Sequence, residues 1–153
     1  MGTGTKRTAR SETRQVAALP WRIDDGEHRI LMITSRETRR WVIPKGGRMI
    51  GKTDPEAAVQ EALEEAGVKG EIDDQAIGVF RYAKTLKDGG LRRCVVSVYS
   101  LQVLIQLGHW PEAHQRERRW MTPAEAADLV HEPDLAALIR EFAAGLPSEE
   151  LPA

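Results

Sequence analysis

The stretch that most constrains this chain is Pro44–Val68, PKGGRMIGKTDPEAAVQEALEEAGV, in which a glycine pair precedes a glutamate-rich helix. Thr53 is a typical N-cap residue, and Glu56, three residues later, completes the spacing of a capping box. A proline suits the first helical position, and Gly67 stands where a left-handed C-cap glycine belongs. The sequence therefore predicts a helix over Pro55–Ala66.

The predicted helix has two chemically different faces. At roughly 100° per residue, one face is apolar and the opposite face is acidic. The apolar face holds Ala58, Val59, Ala62, Leu63 and Ala66, and the acidic face holds Glu61, Glu64 and Glu65. Like charges at these spacings cost an isolated helix roughly 0.2–0.5 kcal/mol per pair, and a divalent cation bound by carboxylate oxygens would reverse that sign. A solvated acidic face is the alternative interpretation.

The neighbours of this helix favour a ligand site over a solvated face. Gly46 and Gly47 form a loop without side chains, which can approach a ligand closely and offer it backbone groups. Basic residues lie in the loop before the helix, and arginine forks suit phosphate oxygens, although loop charges of this kind are often only solvated. These loop cations are Arg36, Arg39, Arg40, Lys45 and Arg48.

The stretch resembles the Nudix box, G-x5-E-x7-R-E-U-x-E-E-x-G-U, where U is a bulky aliphatic residue. Gly46, Glu61, Glu64, Glu65, Gly67 and Val68 occupy box positions. Lys52 stands in place of the first glutamate, Gln60 in place of the arginine and Ala62 in place of the first bulky residue. The resemblance implies an α/β/α sandwich with a central mixed β-sheet, of the α/β (α+β) class.

The resemblance also implies a chemistry, the metal-dependent hydrolysis of a pyrophosphate linkage in a phosphorylated small molecule. Glu61 and Glu65 would bind Mg²⁺ or Mn²⁺, together with Glu64 and the backbone carbonyl of Lys45. Our hypothesis is that Glu64 accepts the proton of the attacking water, although the sequence allows Glu61, Glu64 and Glu65 to exchange the base and ligand roles. Thr34, Ser35, Arg36, Gly46, Gly47 and Arg116 would contact the substrate.

Within the family, the chain looks most similar to the diphosphoinositol polyphosphate and diadenosine polyphosphate hydrolases. Four segments carry this likeness: Ser35-Arg36, Trp41–Pro44, Glu64–Gly70 and Gly78–Phe80. Glu132 departs from it, since that branch has a basic substrate residue at this position. Tyr82 or Trp110 could stack on a base. The second functional class is a Nudix-like module that binds a phosphorylated ligand without turnover, in which Lys52 and Gln60 mark lost catalysis.

The rest of the chain predicts one α/β domain. Patterns of alternation and turn residues predict strands at Arg14–Arg22, ended or bent at Pro20, at His28–Ser35, at Trp41–Ile43, and in a hairpin of Gln75–Lys84 with Leu91–Leu104. Arg116–Met121 resembles the last strand of Nudix domains. Helices are predicted at Pro123–Val130 and Pro133–Ala144. We expect a basic tail over residues 1–13, the domain over 14–145 and a C-terminal tail over 146–153.

Composition narrows the remaining function classes. The 153 residues are 41% hydrophobic and 29% charged, with a net charge of −1. No apolar run reaches the ~18 residues that a membrane span needs. The only cysteine, Cys94, fits a reducing compartment, and we expect a cytoplasmic protein. Basic residues in short loops and 5% aromatic content argue against a nucleic-acid partner. An exposed hairpin edge could pair two subunits into a homodimer.

Overall fold

The computed structural model describes residues 12–146. The predicted tails therefore lie largely outside the described residues. The strands are β1 (Thr13–Asp24), β2 (Glu27–Thr34), β3 (Trp41–Val42), β4 (Lys45–Gly47), β5 (Val68–Ile72), β6 (Gly78–Thr85), β7 (Leu91–Gln106) and β8 (Arg118–Met121). The helices are α1 (Asp54–Glu61), which continues through a π-helical turn (Ala62–Ala66), α2 (Pro123–Leu129) and α3 (Pro133–Ala144).

The strands form one mixed sheet, as the sequence predicted. Its central order is β3-β2-β1-β7-β5, with β4 paired to β1, β6 to β7 and β8 to β2. The long β1 and β7 run parallel to each other, and the other pairs are antiparallel. The predicted hairpin is confirmed, since Thr85 of β6 pairs with Leu91 of β7 around the turn.

Helices cover both faces of the sheet, which confirms the α/β/α sandwich. Alternate residues of β1 supply two separate cores: Val16 and Ala18 pack with α1 and the π turn, whereas Ala17 and Leu19 pack with α2 and α3. A strand covered on both faces is buried continuously, and this explains why β1 carries an apolar run rather than strict alternation.

Pro20 was expected to end or bend the first strand, and it does not end it. Strand β1 continues to Asp24, and Pro20 itself pairs with Leu101 of the parallel neighbour. Backbone N–H groups alternate in direction, so the Pro20 nitrogen faces the same side as the Ala18 N–H, which donates to the carbonyl of Pro44. On that side the pairing with β2 begins only at Trp21, so the missing N–H of proline costs no sheet hydrogen bond.

The start and end of the glutamate helix agree with the sequence. The Thr53 side chain accepts from the Glu56 N–H at 3.2 Å, and the Glu56 carboxylate accepts from the Thr53 N–H at 2.8 Å. Gly67 ends the helix in the left-handed region with φ 69°. A second capping box, Thr122 with Glu125, begins α2.

The predicted helix faces were only partly right, since the alanines at 58, 62 and 66 of the predicted apolar face are fully buried. Val59 and Leu63 are only half-buried, whereas Glu61 and Glu65 are buried on the side that faces the sheet. The π-helical last turn departs from the 100° period and so changes the direction of Glu65. Glu61 lies before that turn, and its carboxylate is buried because Gly46 leaves room for it. Two glutamates therefore point into the protein rather than away from its core.

Strands β4 and β5 were not predicted, because both contain glycine, which is unfavourable in strands: Gly46 and Gly47 were expected in a loop but pair with β1, and Gly70 interrupts β5. Their positions still matter, since β4 brings Lys45 and Gly46 against the helix. None of the helices over residues 12–146 has the length and hydropathy needed to cross a membrane.

Candidate active site

Two buried carboxyl groups form the centre of the site. Glu61 is 9% exposed and Glu65 is 8% exposed, and their side chains are hydrogen bonded to each other. Strand β4 lies directly beneath them: a Cβ on Gly46 would fall 2.1 Å from Oε2 of Glu61, and the Lys45 N–H donates to Oε1 of Glu65 at 3.2 Å. Gly46 therefore lets a helix carboxylate approach the backbone, a role that no other residue could fill without displacing Glu61.

Burial makes both acids harder to ionise. It raises the pKa of Glu61, and it raises the pKa of Glu65 to about 8, against the opposing attraction of Arg116. In the protein alone, the pair therefore holds a proton near neutral pH. A cation that replaced this proton would relieve the repulsion between the two carboxylates.

Arg116 joins this pair to a third acid, Glu112. The Arg116 side chain is 8% exposed; its Nε donates to Oε1 of Glu112 at 2.7 Å, and Nη2 lies 3.6 Å from Oε2 of Glu65. Its Nη1 donates to the carbonyl of Thr34 at 3.0 Å. Three acids surround one guanidinium, so the site carries an excess of negative charge once Glu61 and Glu65 ionise.

Glu64 lies apart from this cluster. It is half-buried, and Gln60 donates to its Oε2 through Nε2 at 2.5 Å. Over the described residues 12–146, no three His, Cys, Asp or Glu side chains converge in an arrangement that could hold a metal ion. The structure thus brings Glu61 and Glu65 together and leaves Glu64 on a neighbouring surface of the helix.

Comparison with known proteins identifies the family. A family model described as NUDIX domain matches residues 13–142. The chain belongs to the Nudix family. Since the match covers most of the residues that form the sheet and helices, the whole described fold is that of a Nudix domain.

Curated Nudix relatives are similar at moderate identity. "Nudix hydrolase 12, mitochondrial" of Arabidopsis thaliana is 38% identical over 116 residues, which cover 74% of this chain and 57% of that protein. The chain thus spans little more than half of that relative's length. "Diphosphoinositol polyphosphate phosphohydrolase 3-beta" of Homo sapiens is 29% identical over 136 residues, or 86% of this chain and 79% of that protein.

A solved structure supports the fold. The crystal structure of an Ap4A hydrolase from C. elegans has a TM-score of 0.64 and 20% identity, and it covers 88% of this chain and 98% of that chain. The family model and the solved structure therefore agree on the Nudix fold of the present chain.

The structure also locates the departures from the Nudix box. Gln60, in place of the arginine, keeps a hydrogen-bond donor on Glu64. Lys52, in place of the first glutamate, is exposed on the loop before the helix. Ala62 is fully buried against the sheet, where a bulkier residue would need more space.

The predicted substrate residues divide into an exposed and a buried group. Arg36 is exposed and donates to Gln115 at 3.2 Å, and the Ser35 hydroxyl is hydrogen bonded to that of Thr38. Thr34 is 3% exposed, and its hydroxyl accepts from the Glu117 N–H at 2.9 Å. Gly47 is exposed with open space above it, and Arg116 lies inside the acidic cluster.

The side chain of Lys45 lies on the opposite face of the sheet from the acids. Its Nζ is 4.9 Å from the ring centroid of Tyr82, and burial lowers the Lys45 pKa, opposed by Glu65 and Glu132. The Tyr82 hydroxyl donates to Gln15 at 2.7 Å. Strand alternation explains this placement, because Lys45 and Gly46 are adjacent on β4 and point to opposite faces.

Sequence reasoning missed Glu112. Its carboxylate joins the site only because the loop over residues 107–117 returns to the end of the glutamate helix, where the Glu112 N–H donates to the Glu64 carbonyl at 3.1 Å. No local pattern signals such a contact. A carboxylate four residues before Arg116 was the one available hint.

Proposed function

We propose that this Nudix chain is a metal-dependent hydrolase that cleaves a pyrophosphate linkage in a nucleoside- or inositol-linked di- or polyphosphate. The observation that carries the proposal is the buried Glu61–Glu65 pair, whose burial raises the pKa of Glu65 to about 8. Burying two acids in contact destabilises the fold. A ligand that binds both of them would explain why the pair is present.

The donor set of this pair fits a hard divalent cation. Carboxylate oxygens are the ligands that Mg²⁺ and Mn²⁺ prefer, and the excess of acids over cations around Arg116 favours a positive ligand. Glu61 and Glu65 would hold the ion, with Glu112 and the backbone of Lys45 beside them. A bound divalent cation lowers the pKa of its water from 15.7 towards neutrality and offsets the charge of the phosphates.

Glu64 is the residue that we assign as general base. It is half-buried, and the hydrogen bond from Gln60 fixes one of its oxygens and leaves the other able to accept a proton. Its hydrogen-bond partner is Gln60 rather than a member of the buried pair, which supports a role separate from metal binding. The attacking water would give its proton to Glu64 while its oxygen forms the new bond to phosphorus, and the bond from that phosphorus to the bridging oxygen would break, so that the other phosphate group leaves with the bridging oxygen.

The basic loops flanking the site would hold the phosphate groups of the substrate. Arg36 and Arg48 are exposed, and each is anchored by one hydrogen bond of its guanidinium group, whereas the exposed Arg39 donates through both Nη1 and Nη2. An anchored arginine loses little side-chain freedom when it binds a phosphate, and its remaining donors stay available. The human relative named for diphosphoinositol polyphosphate and the Ap4A hydrolase structure both support a polyphosphate substrate.

One observation favours a binding module as the second candidate. Across the part of the chain that the structure describes, Glu64 does not complete a three-carboxylate metal cluster, and Lys52 replaces an acid of the Nudix box. A module of this kind would bind the phosphorylated ligand through the same basic loops but would not turn it over.

A substrate panel separates the two candidates. Hydrolysis would be measured by chromatography of the reaction products, with Mg²⁺ and with Mn²⁺, on dinucleoside polyphosphates, nucleoside diphosphate sugars, nucleoside triphosphates and inositol pyrophosphates. We expect metal-dependent turnover of at least one class, abolished by chelation. Tight binding of one member with no turnover of any would contradict the hydrolase and favour the binding module.

A further inference from the structure

The end of the glutamate helix is held by one returning segment, residues 107–118, which consists of the loop before β8 and the first residue of that strand. Helices leave their last carbonyl groups without partners inside the helix. Here the carbonyls of residues 64–67 all accept hydrogen bonds from residues 107–118. Backbone N–H groups serve the two outer ones: Glu112 donates to Glu64, and Leu107 donates to Gly67 at 2.8 Å.

Two side chains serve the inner carbonyls. The indole Nε1 of Trp110 donates to the Glu65 carbonyl at 3.0 Å, and Nη1 of Arg118 donates to the Ala66 carbonyl at 2.8 Å. The Arg118 guanidinium lies 3.8 Å from the ring centroid of Trp110, so each side chain holds the other in place. We call Trp110 and Arg118 the helix-end clamp.

The clamp is closely fitted to Gly67. A Cβ on this glycine would lie 2.7 Å from the Trp110 ring and 2.8 Å from Nη1 of Arg118. Arg118 also donates to the Leu107 carbonyl at 2.6 Å, so it ties the loop to the helix end. The positive guanidinium lies at the negative end of the helix dipole, which strengthens the contact.

The clamp holds the part of the helix whose geometry is unusual. Residues 62–66 form a π turn, an uncommon form that is frequent at functional sites. Glu65 lies in that turn, and Trp110 bonds to the carbonyl of Glu65 itself. The direction of the Glu65 side chain follows the backbone of the turn, so the clamp acts on the buried acid pair without touching either carboxyl group.

We propose that Trp110 and Arg118 are positioning residues, which hold the last turn in its π form and so place the Glu65 carboxyl against Glu61 and Arg116. The assignment of Glu65 as a metal ligand rests on the proposed function; the effect of the clamp on the π turn does not. The two parts can therefore fail separately.

The chain contains a matched control for the tryptophan. Trp120 also donates through its indole Nε1, to Oε1 of Gln106 at 2.9 Å, and its ring also lies beneath a guanidinium, that of Arg22 at 4.0 Å. It bonds a side chain rather than a carbonyl of the π turn. Trp110→Phe and Trp120→Phe each remove one indole N–H and keep an aromatic ring under an arginine.

The first readout is amide hydrogen exchange of the metal-free protein, which needs neither metal nor substrate. We expect the amides of residues 62–68 to exchange about tenfold faster in Trp110→Phe, the effect of one lost hydrogen bond, and to be unchanged in Trp120→Phe. Arg118→Lys provides a second variant, which keeps the positive charge and loses the planar guanidinium group. It should also make the amides of residues 62–68 exchange faster.

The second readout is Mg²⁺ affinity by calorimetry. We expect Trp110→Phe to weaken binding about tenfold, as loss of an outer partner of a metal ligand does, while Trp120→Phe binds as the parent protein does.

Equal exchange rates in the two variants would overturn the proposal, and so would faster exchange with unchanged Mg²⁺ affinity, because the clamp would then only stabilise the fold. A parent protein that binds no metal and hydrolyses no substrate would refute the proposed function instead, and the exchange comparison would still decide whether the clamp holds the turn.

Discussion

At the scale of single residues, the site depends on where side chains are absent as much as on where they are present. The two glycines before the helix differ sharply. A Cβ on Gly46 would collide with the Glu61 carboxylate, whereas one on Gly47 would meet nothing within 4 Å. The sequence predicted that both would approach a ligand; the structure shows that Gly46 accommodates a side chain of the protein itself.

This difference predicts the outcome of a matched pair of substitutions. Gly46→Ala should lower the free energy of unfolding by about 1–3 kcal/mol, the usual cost of overpacking. Gly47→Ala, exposed and without strain, should stay within about 0.5 kcal/mol of the parent protein. Urea denaturation of the metal-free protein measures both. Equal stability of the two variants would mean that the contact between Gly46 and Glu61 does not constrain the site.

The proposed base can be tested in the same way. Glu64→Gln keeps the size of the side chain and an oxygen that can accept from Gln60, but it removes the group that takes up a proton. We expect hydrolysis to fall about 100-fold or more, with unchanged Mg²⁺ affinity. Calorimetry and the chromatographic hydrolysis assay give the two values. Full hydrolysis by this variant would remove the base role from Glu64.

At the scale of elements, local signals predicted the ends of α1 well and its orientation poorly. The capping box and the C-cap glycine are encoded within a few residues, so Thr53, Glu56 and Gly67 could be recognised directly. The inward direction of Glu61 depends on the space above Gly46, and that of Glu65 depends on the π turn, which is held by a loop more than forty residues away in the chain. Such a tertiary contact leaves no local pattern.

The two capping boxes allow the contribution of each helix start to be measured. Thr53→Ala in α1 and Thr122→Ala in α2 each remove a side-chain acceptor for a backbone N–H, at 3.2 Å and 3.1 Å. Each should lower the free energy of unfolding by about 1 kcal/mol. Thermal or urea unfolding of both variants tests this. A loss confined to Thr122→Ala would show that tertiary contacts, not the cap, fix the start of the glutamate helix.

The candidate site is built from segments that lie far apart in the sequence. Only part of it could be predicted, because contacts between distant segments leave no local pattern. Glu61, Glu64 and Glu65 could be recognised from the Nudix box, and their proposed roles follow from the resemblance to the family. Glu112 and the helix-end clamp became visible only when the loop before β8 was placed against the helix. Thr34, predicted as a substrate contact, has its hydroxyl engaged with the Glu117 backbone inside the protein.

At the scale of the whole molecule, protonation, metal binding and stability are coupled through Glu65. Its pKa is about 8 in the folded protein, above the ordinary value of 4.5. Between these values the folded protein holds a proton that the unfolded chain has released. The free energy of unfolding of the metal-free protein therefore decreases as pH rises through this range, and a cation that displaces the proton restores stability.

The most direct test of the account is calorimetric titration of Mg²⁺ into the parent protein and into Glu65→Gln at pH 6.5 and at pH 8.5. We expect the parent protein to bind more tightly at the higher pH and to release a proton on binding at the lower one, whereas Glu65→Gln should show neither binding nor proton release. Binding that is equally tight in Glu65→Gln, or no binding of Mg²⁺ or Mn²⁺ by the parent protein at either pH, would contradict the assignment of the buried glutamate pair as the metal site.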